Sequence, residues 1–99
     1  MRDTLHLHLE SATTAMEAGE WPGAIALLVS ALAALEGHEE HAAEATTRLL
    51  LAQSLASAGR LADAIAQVAE AQGAAERADD RDLVHRCMAL AASLHVLGR

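Results

Sequence analysis

Apolar residues recur at every third or fourth position along most of the chain, which is the spacing of one helical face. The first such stretch, 3–18, predicts a helix that ends at Gly19, where a glycine can adopt a left-handed conformation. A second helix is predicted to begin near Trp21 and to end at Gly37. Pro22 suits its first position, where the missing N–H does no harm.

Three more helices are predicted in the rest of the chain. The third runs from about 39 to 57, the fourth from about 61 to 77, and the fifth from about 80 to 97. Asp79, Asp80 and Asp82 provide an N-cap and a negatively charged first turn for the fifth helix. No segment alternates polar and apolar residues with a period of two, so no strand is expected.

The glycines that end these helices recur at a nearly constant distance. Gly59 follows Gly19 by 40 residues, and Gly98 follows Gly59 by 39. In this register Ala24 matches Ala64, and other small or apolar residues also coincide. Internal periods of this length are typical of stacked helical hairpins.

The residues Arg48-x2-Leu51-Ala52-x2-Leu55 and Ala64-x3-Val68 have the spacing of the two helices of a tetratricopeptide repeat. The chain therefore resembles that family over nearly its whole length. The resemblance implies an all-α fold of stacked antiparallel helical hairpins, with five helices and two and a half repeats. One domain is expected, made of a hairpin at 3–37, a second hairpin at 38–78, and an unpaired or capping helix at 80–98.

The same resemblance implies a partner-binding groove, because the first helices of such hairpins line a concave surface that binds peptides or proteins. Carried over by position, the groove residues are His6, Leu9, Thr13, Met16, Thr46, Leu49, Gln53, His85, Met88 and His95. The Lys and Asn residues with which some members bind a peptide carboxylate are absent. A mixed apolar and histidine-edged groove would suit an amphipathic helix or an extended segment.

The last helix offers more apolar surface than one neighbouring helix is expected to cover. Repeat arrays normally need a capping element, and a large exposed patch usually marks an interface. A homodimer is therefore expected to form through Leu83, Cys87, Leu90, Leu94 and Leu97. Two alternatives remain: the chain is a fragment of a longer array, or the helix folds back in a stable monomer.

Composition narrows the classes of partner. The chain of 99 residues has a net charge of −7 and contains no lysine, which argues against nucleic acid and against an anionic membrane surface. Hydrophobic residues make up 53% of it and are mostly Ala and Leu, which favours closely packed helices. The apolar run 23–35 is too short to span a bilayer, and no targeting signal is visible, which points to the cytoplasm.

Candidate chemistry is sparse. The single cysteine, Cys87, lies in an apolar helix segment and is expected to be a buried, inert thiol. His38, His41 and Glu44 share a helical face but lack an established zinc spacing, so no metal and no cofactor is expected. The sequence thus predicts a non-catalytic protein-interaction module that binds an unidentified protein or peptide. A regulatory module of a bacterial signalling or transcription system and a metal- or ligand-binding helical bundle are the alternatives.

Overall fold

The computed structural model describes residues 2–98, with side chains from residue 4 onward, and this part of the chain contains helices and turns but no strand. The helices are α1 (Arg2–Glu17), α2 (Trp21–Leu35), α3 (His41–Ser57), α4 (Leu61–Arg77) and α5 (Arg81–Leu97). The predicted all-α fold with five helices is therefore confirmed. Helix α2 ends two residues before Gly37, and α3 begins at His41 rather than at residue 39.

Three of the four turns have the same backbone hydrogen bonds. At the α3–α4 turn, Gly59 N donates to Ala56 O at 3.0 Å, and Arg60 N donates to Leu55 O at 2.8 Å. This pair of bonds is the Schellman motif, which requires a left-handed residue. Gly59 supplies it with φ +83°, and Gly19 does the same between α1 and α2 with φ +74°.

The third of these turns is formed by an aspartate. Asp79 has φ +53°, and its N–H donates to Glu76 O at 3.0 Å. Aspartate tolerates this conformation better than most residues with a Cβ atom. Gly98 ends α5 as its C-cap, as predicted, but its φ of −79° is not the left-handed conformation of Gly19 and Gly59. The corner that follows Gly59 comes 20 residues later, at Asp79, because each helix with its turn occupies 20 residues in this half of the chain.

Helix α3 is the central element, since it packs against each of the other four helices. It runs antiparallel to α4, so the start of α3 lies beside the end of α4. Nine alanines are completely buried where the helices meet: Ala12, Ala24, Ala31, Ala45, Ala52, Ala64, Ala71, Ala74 and Ala75. Their small side chains allow close approach between helices, and leucines such as Leu28 and Leu94 fill the wider spaces.

Two polar side chains are fully buried in α3. Thr47 Oγ1 donates a hydrogen bond of 2.7 Å to Ala43 O, one helical turn earlier. The hydroxyl of Ser54 is equally buried, and no hydrogen-bond partner for it is found among the described residues. A buried hydroxyl without a partner destabilises the folded state.

Candidate functional site

Helices α1, α3 and α5 together form a groove at the N-terminal half of α3. Two adjacent cavities, of about 750 Å³ and 460 Å³, share the residues Leu9, Ala42 and Ala43. The first lies between α1 and α3, and the second extends to α5. We call the two together the α1/α3/α5 groove; it is lined by Leu5, His6, Leu9, Glu39, Glu40, His41, Ala42, Ala43, Thr46, Ala78, Asp80, Asp82, Leu83 and Arg86.

The floor of this groove is apolar and the charged residues lie at its edge. Glu39 and Glu40 precede α3, while Asp80 and Asp82 stand at the start of α5. Carboxylates at these positions complement the positive ends of the two helix dipoles. Asp80 is also the N-cap of α5, because its Oδ1 accepts a hydrogen bond of 3.1 Å from Leu83 N. Of the three aspartates predicted to supply the N-cap, Asp80 is the one that does so.

The predicted groove residues are distributed over several surfaces. His6, Leu9 and Thr46 line the α1/α3/α5 groove. The exposed residues Thr13 and Gln53 and the half-buried Met16 lie outside its lining. Leu49 is only 2% exposed and belongs to the core, so it is not presented to a partner.

The predicted groove residues of α5 lie away from the groove. His85 lines a cavity with Val84 and the end of α4, and His95 lines another with Ile65 and Ala91. Met88 is 54% exposed and lines none of these cavities. The helical spacing places all three on α5, but only its first turns reach the groove, through Asp82, Leu83 and Arg86. The prediction, which carried groove residues over from their positions in the repeat, did not include these three residues or the acidic edge.

The predicted self-association residues are mostly part of the molecule's own core. Leu83, Cys87 and Leu94 are 6%, 0% and 1% exposed, because α5 packs its apolar face against α4 and α3. The prediction that these three form an exposed patch is therefore wrong. Leu90 is partly buried against the same core, and Leu97 is the one predicted residue whose side chain is largely exposed, at 68%.

A polar network connects α3 to α4 on another side of the molecule. Arg48 Nε donates to Glu44 Oε2 at 2.9 Å, and Arg48 Nη1 donates to Gln67 Oε1 at 2.8 Å. Arg77 Nη2 lies 3.8 Å from the other oxygen of Glu44. About three quarters of the Arg48 and Glu44 side chains are buried, so the network holds α3 and α4 in a defined relative position. The sequence shows the i, i+4 spacing that pairs Glu44 with Arg48. The contact of Arg48 with Gln67, which lies on another helix, could not be predicted from local spacing.

Three further features bear on function: the thiol of Cys87, the histidines as possible metal ligands, and the length of the helices. Burial raises the pKa of the Cys87 thiol, and the nearby charge of Arg86 opposes this in part. His38 and His41 line different cavities, and within residues 2–98 no three His, Cys, Asp or Glu side chains are grouped closely enough to hold a metal ion. Among the described helices, none is both long enough and apolar enough to cross a membrane.

The fold and the groove define a class: an all-helical protein of consecutive antiparallel hairpins, with an open groove where its first, third and fifth helices meet. Comparison with protein family models, with curated proteins and with solved structures finds no match for this chain.

Proposed function

We propose that the chain is a non-catalytic protein-interaction module, built like tetratricopeptide repeats, that binds a segment of a partner protein in the α1/α3/α5 groove. The observation that carries the proposal is that two adjacent cavities with shared lining residues extend over three helices that are distant in sequence.

The shape of the groove suits a helix or an extended segment. Ala42 and Ala43 keep the floor low, so the backbone or a side chain of a bound segment can approach α3 closely. The walls stand on helices joined by short hydrogen-bonded turns, and the network around Arg48 fixes α3 against α4. A groove formed before binding lowers the entropy cost of association.

The proposal is tested by selecting peptides from a random display library against the protein, with Ala42→Gln as the groove-blocking variant. Ala42 is exposed and lines both cavities, so a glutamine there fills the floor without disturbing the core. Ala66→Gln, on the exposed side of α4, is the matched control. We expect selected peptides to bind the native protein and the control, and to bind Ala42→Gln at least tenfold more weakly. Failure to select any peptide, or equal binding to both variants, would refute the proposal.

Self-association through α5 is a second candidate, supported by where apolar side chains are exposed. Four of the six large hydrophobic residues that are exposed in the described chain belong to α4 and α5: Ile65, Met88, Val96 and Leu97, with 46%, 54%, 66% and 68% exposure. An apolar cavity of about 260 Å³ lies between these helices, beside Ile65. A second copy that packs its own α4 and α5 against these two helices would cover exposed apolar side chains on both chains, as a two-fold axis permits.

The molecular mass in solution tests this candidate. We expect twice the mass of the chain at micromolar concentration, and the mass of one chain after the double substitution Met88→Glu and Val96→Glu. Leu7→Glu is the control, because Leu7 is 61% exposed on α1. A native protein that stays monomeric up to about 100 µM would exclude a functional dimer of ordinary affinity.

A further inference from the structure

We infer that a second copy of this chain lays its α5 antiparallel along α5 of the first copy, with Ala92 of both copies at the two-fold axis. The inference rests on the self-association proposed above as the second candidate function, and it specifies the surface and the arrangement. It starts from a correspondence between α3 and α5. Both helices have 17 residues and they begin 40 positions apart, so each position of α3 has an equivalent in α5.

The face of α3 that α4 covers is left uncovered on α5. Arg48 Nη1 donates to Gln67 Oε1 of α4, so residues one helical turn before and after Arg48 lie on the side of α3 that faces α4. Ala45 and Ala52 are completely buried there, and Ala56 is half-buried. The α5 residues equivalent to these four of α3 are all exposed: His85, Met88, Ala92 and Val96. Helix α5 therefore presents the face on which an antiparallel helix packs elsewhere in the same chain.

The apolar cavity between α4 and α5 follows from the same comparison. Leu51 and Leu55 of α3 are buried in the core, whereas their equivalents in α5 are the small Ala91 and the exposed His95. Both equivalents line the cavity of about 260 Å³. Met88 lies two helical turns before His95 on the same side of α5, so the cavity opens beside the uncovered face. An apolar side chain from a second molecule can fill it, and the flexible side chain of a methionine suits an irregular space.

Symmetry and charge select a second copy as the occupant. Helix α4 runs antiparallel to α3, and two α5 helices that pack across a two-fold axis are antiparallel as well. Residues 87–98 contain no Asp, Glu, Lys or Arg, so this half of α5 brings no like charges together although each chain has a net charge of −7. Ala92 is the smallest residue of the uncovered face and allows the closest approach. Met88 of each copy then faces Val96 of the other, since both lie four positions from Ala92.

The surface available is that of a weak dimer. Ile65, Met88 and Val96 each leave about half or more of their surface exposed, on the order of 100 Å² apiece. With the smaller side chains of this face, each copy would cover about 500 Å² and the pair about 1,000 Å², which is the lower limit of a specific interface. A dissociation constant in the micromolar range is therefore expected.

Disulfide cross-linking of Ala92→Cys tests the arrangement. Packed helices lie about 8–10 Å apart, which brings two Cα atoms at the axis to about 5 Å, within the span of a disulfide. The purified variant is oxidised with copper phenanthroline at about 50 µM, and the cross-linked fraction is followed over time on non-reducing gels. Ser93→Cys is the control on the same helix, because its exposed side chain is turned by about 100° from that of Ala92. Ala26→Cys is the second control, exposed on α2, which is equally free of charged residues.

We expect Ala92→Cys to cross-link about tenfold faster than either control, and more slowly after dilution to about 1 µM, where monomers predominate. The native chain should not cross-link, because Cys87 is buried.

Three results would overturn the inference. If the native chain has the mass of a dimer but Ala92→Cys reacts no faster than Ser93→Cys, this arrangement is wrong and the self-association candidate stands. Faster reaction of Ala26→Cys would place the interface on α2. A native chain that stays monomeric up to about 100 µM would exclude the second copy as occupant and the self-association candidate together, while the peptide selection judges the groove independently.

Discussion

Leu94→Ala distinguishes a core residue from an interface residue on α5. Leu94 is 1% exposed in the single chain, among the largest fully buried side chains. The substitution removes three carbon atoms, worth about 2.4 kcal/mol at about 0.8 kcal/mol each. A remaining cavity of about 50 Å³ adds about 1.2 kcal/mol at about 24 cal/mol per Å³. We therefore expect the free energy of unfolding to fall by about 3–4 kcal/mol.

A loss of this size is easy to measure, since a domain of 99 residues is stable by about 5–15 kcal/mol. Urea unfolding followed by circular dichroism gives the free energy, and the melting temperature should fall by about 12–30 °C. Leu97→Ala is the matched control, because Leu97 lies on the same helix but is 68% exposed. Its cost should not exceed about 0.5 kcal/mol.

Protein concentration separates the two interpretations. If Leu94 packs within one chain, the cost of Leu94→Ala is the same at about 5 µM and at about 100 µM protein. If it packs between chains, the cost depends on concentration, and the variant becomes a folded monomer. Equal stability of the Leu94→Ala and Leu97→Ala variants would refute the assignment of Leu94 to the core.

Three further predictions concern single groups. Ser54→Ala should stabilise the fold by about 1 kcal/mol, because it removes a buried hydroxyl without a partner. The control is Ser93→Ala, which removes an exposed hydroxyl bonded to the helix backbone and should change the melting temperature little. Gly59→Ala should destabilise the fold by about 1–2 kcal/mol through backbone strain alone, since no atom lies within 4 Å of the added Cβ. At the equivalent corner, Asp79→Gly should stabilise the fold by about 0.5 kcal/mol. Urea midpoints that moved in the opposite directions would contradict both expectations. Burial raises the pKa of the Cys87 thiol in the native state, so stability should fall as the pH rises from the unfolded thiol's pKa toward the native one. The variant Cys87→Ala, titrated in parallel, should lack this part of the decline. Iodoacetamide should modify the native thiol only as fast as the protein unfolds.

Much of the local structure follows from short stretches of sequence. The apolar spacing identified the five helices, since a helix that packs on one side must repeat its buried residues every three or four positions. Gly19 and Gly59 ended their helices as expected, because the Schellman turn needs a left-handed residue and glycine adopts it without strain. Asp80 capped α5 for an equally local reason: its side chain bonds an amide three residues ahead.

Other features needed the arrangement of the whole chain. Asp79 forms the left-handed corner between α4 and α5, which the glycine repeat did not mark, because aspartate also tolerates this conformation. Leu94 proved to be core rather than interface, since its burial depends on how closely α5 approaches α3 and α4.

The groove itself was only partly predictable. Periodicity by itself determined that this chain forms amphipathic helices joined by tight turns, because those depend on contacts within a few residues. Only the tertiary structure decided which helical faces are covered and which charges meet at the starts of α3 and α5, because both depend on pairs of residues about 40 positions apart.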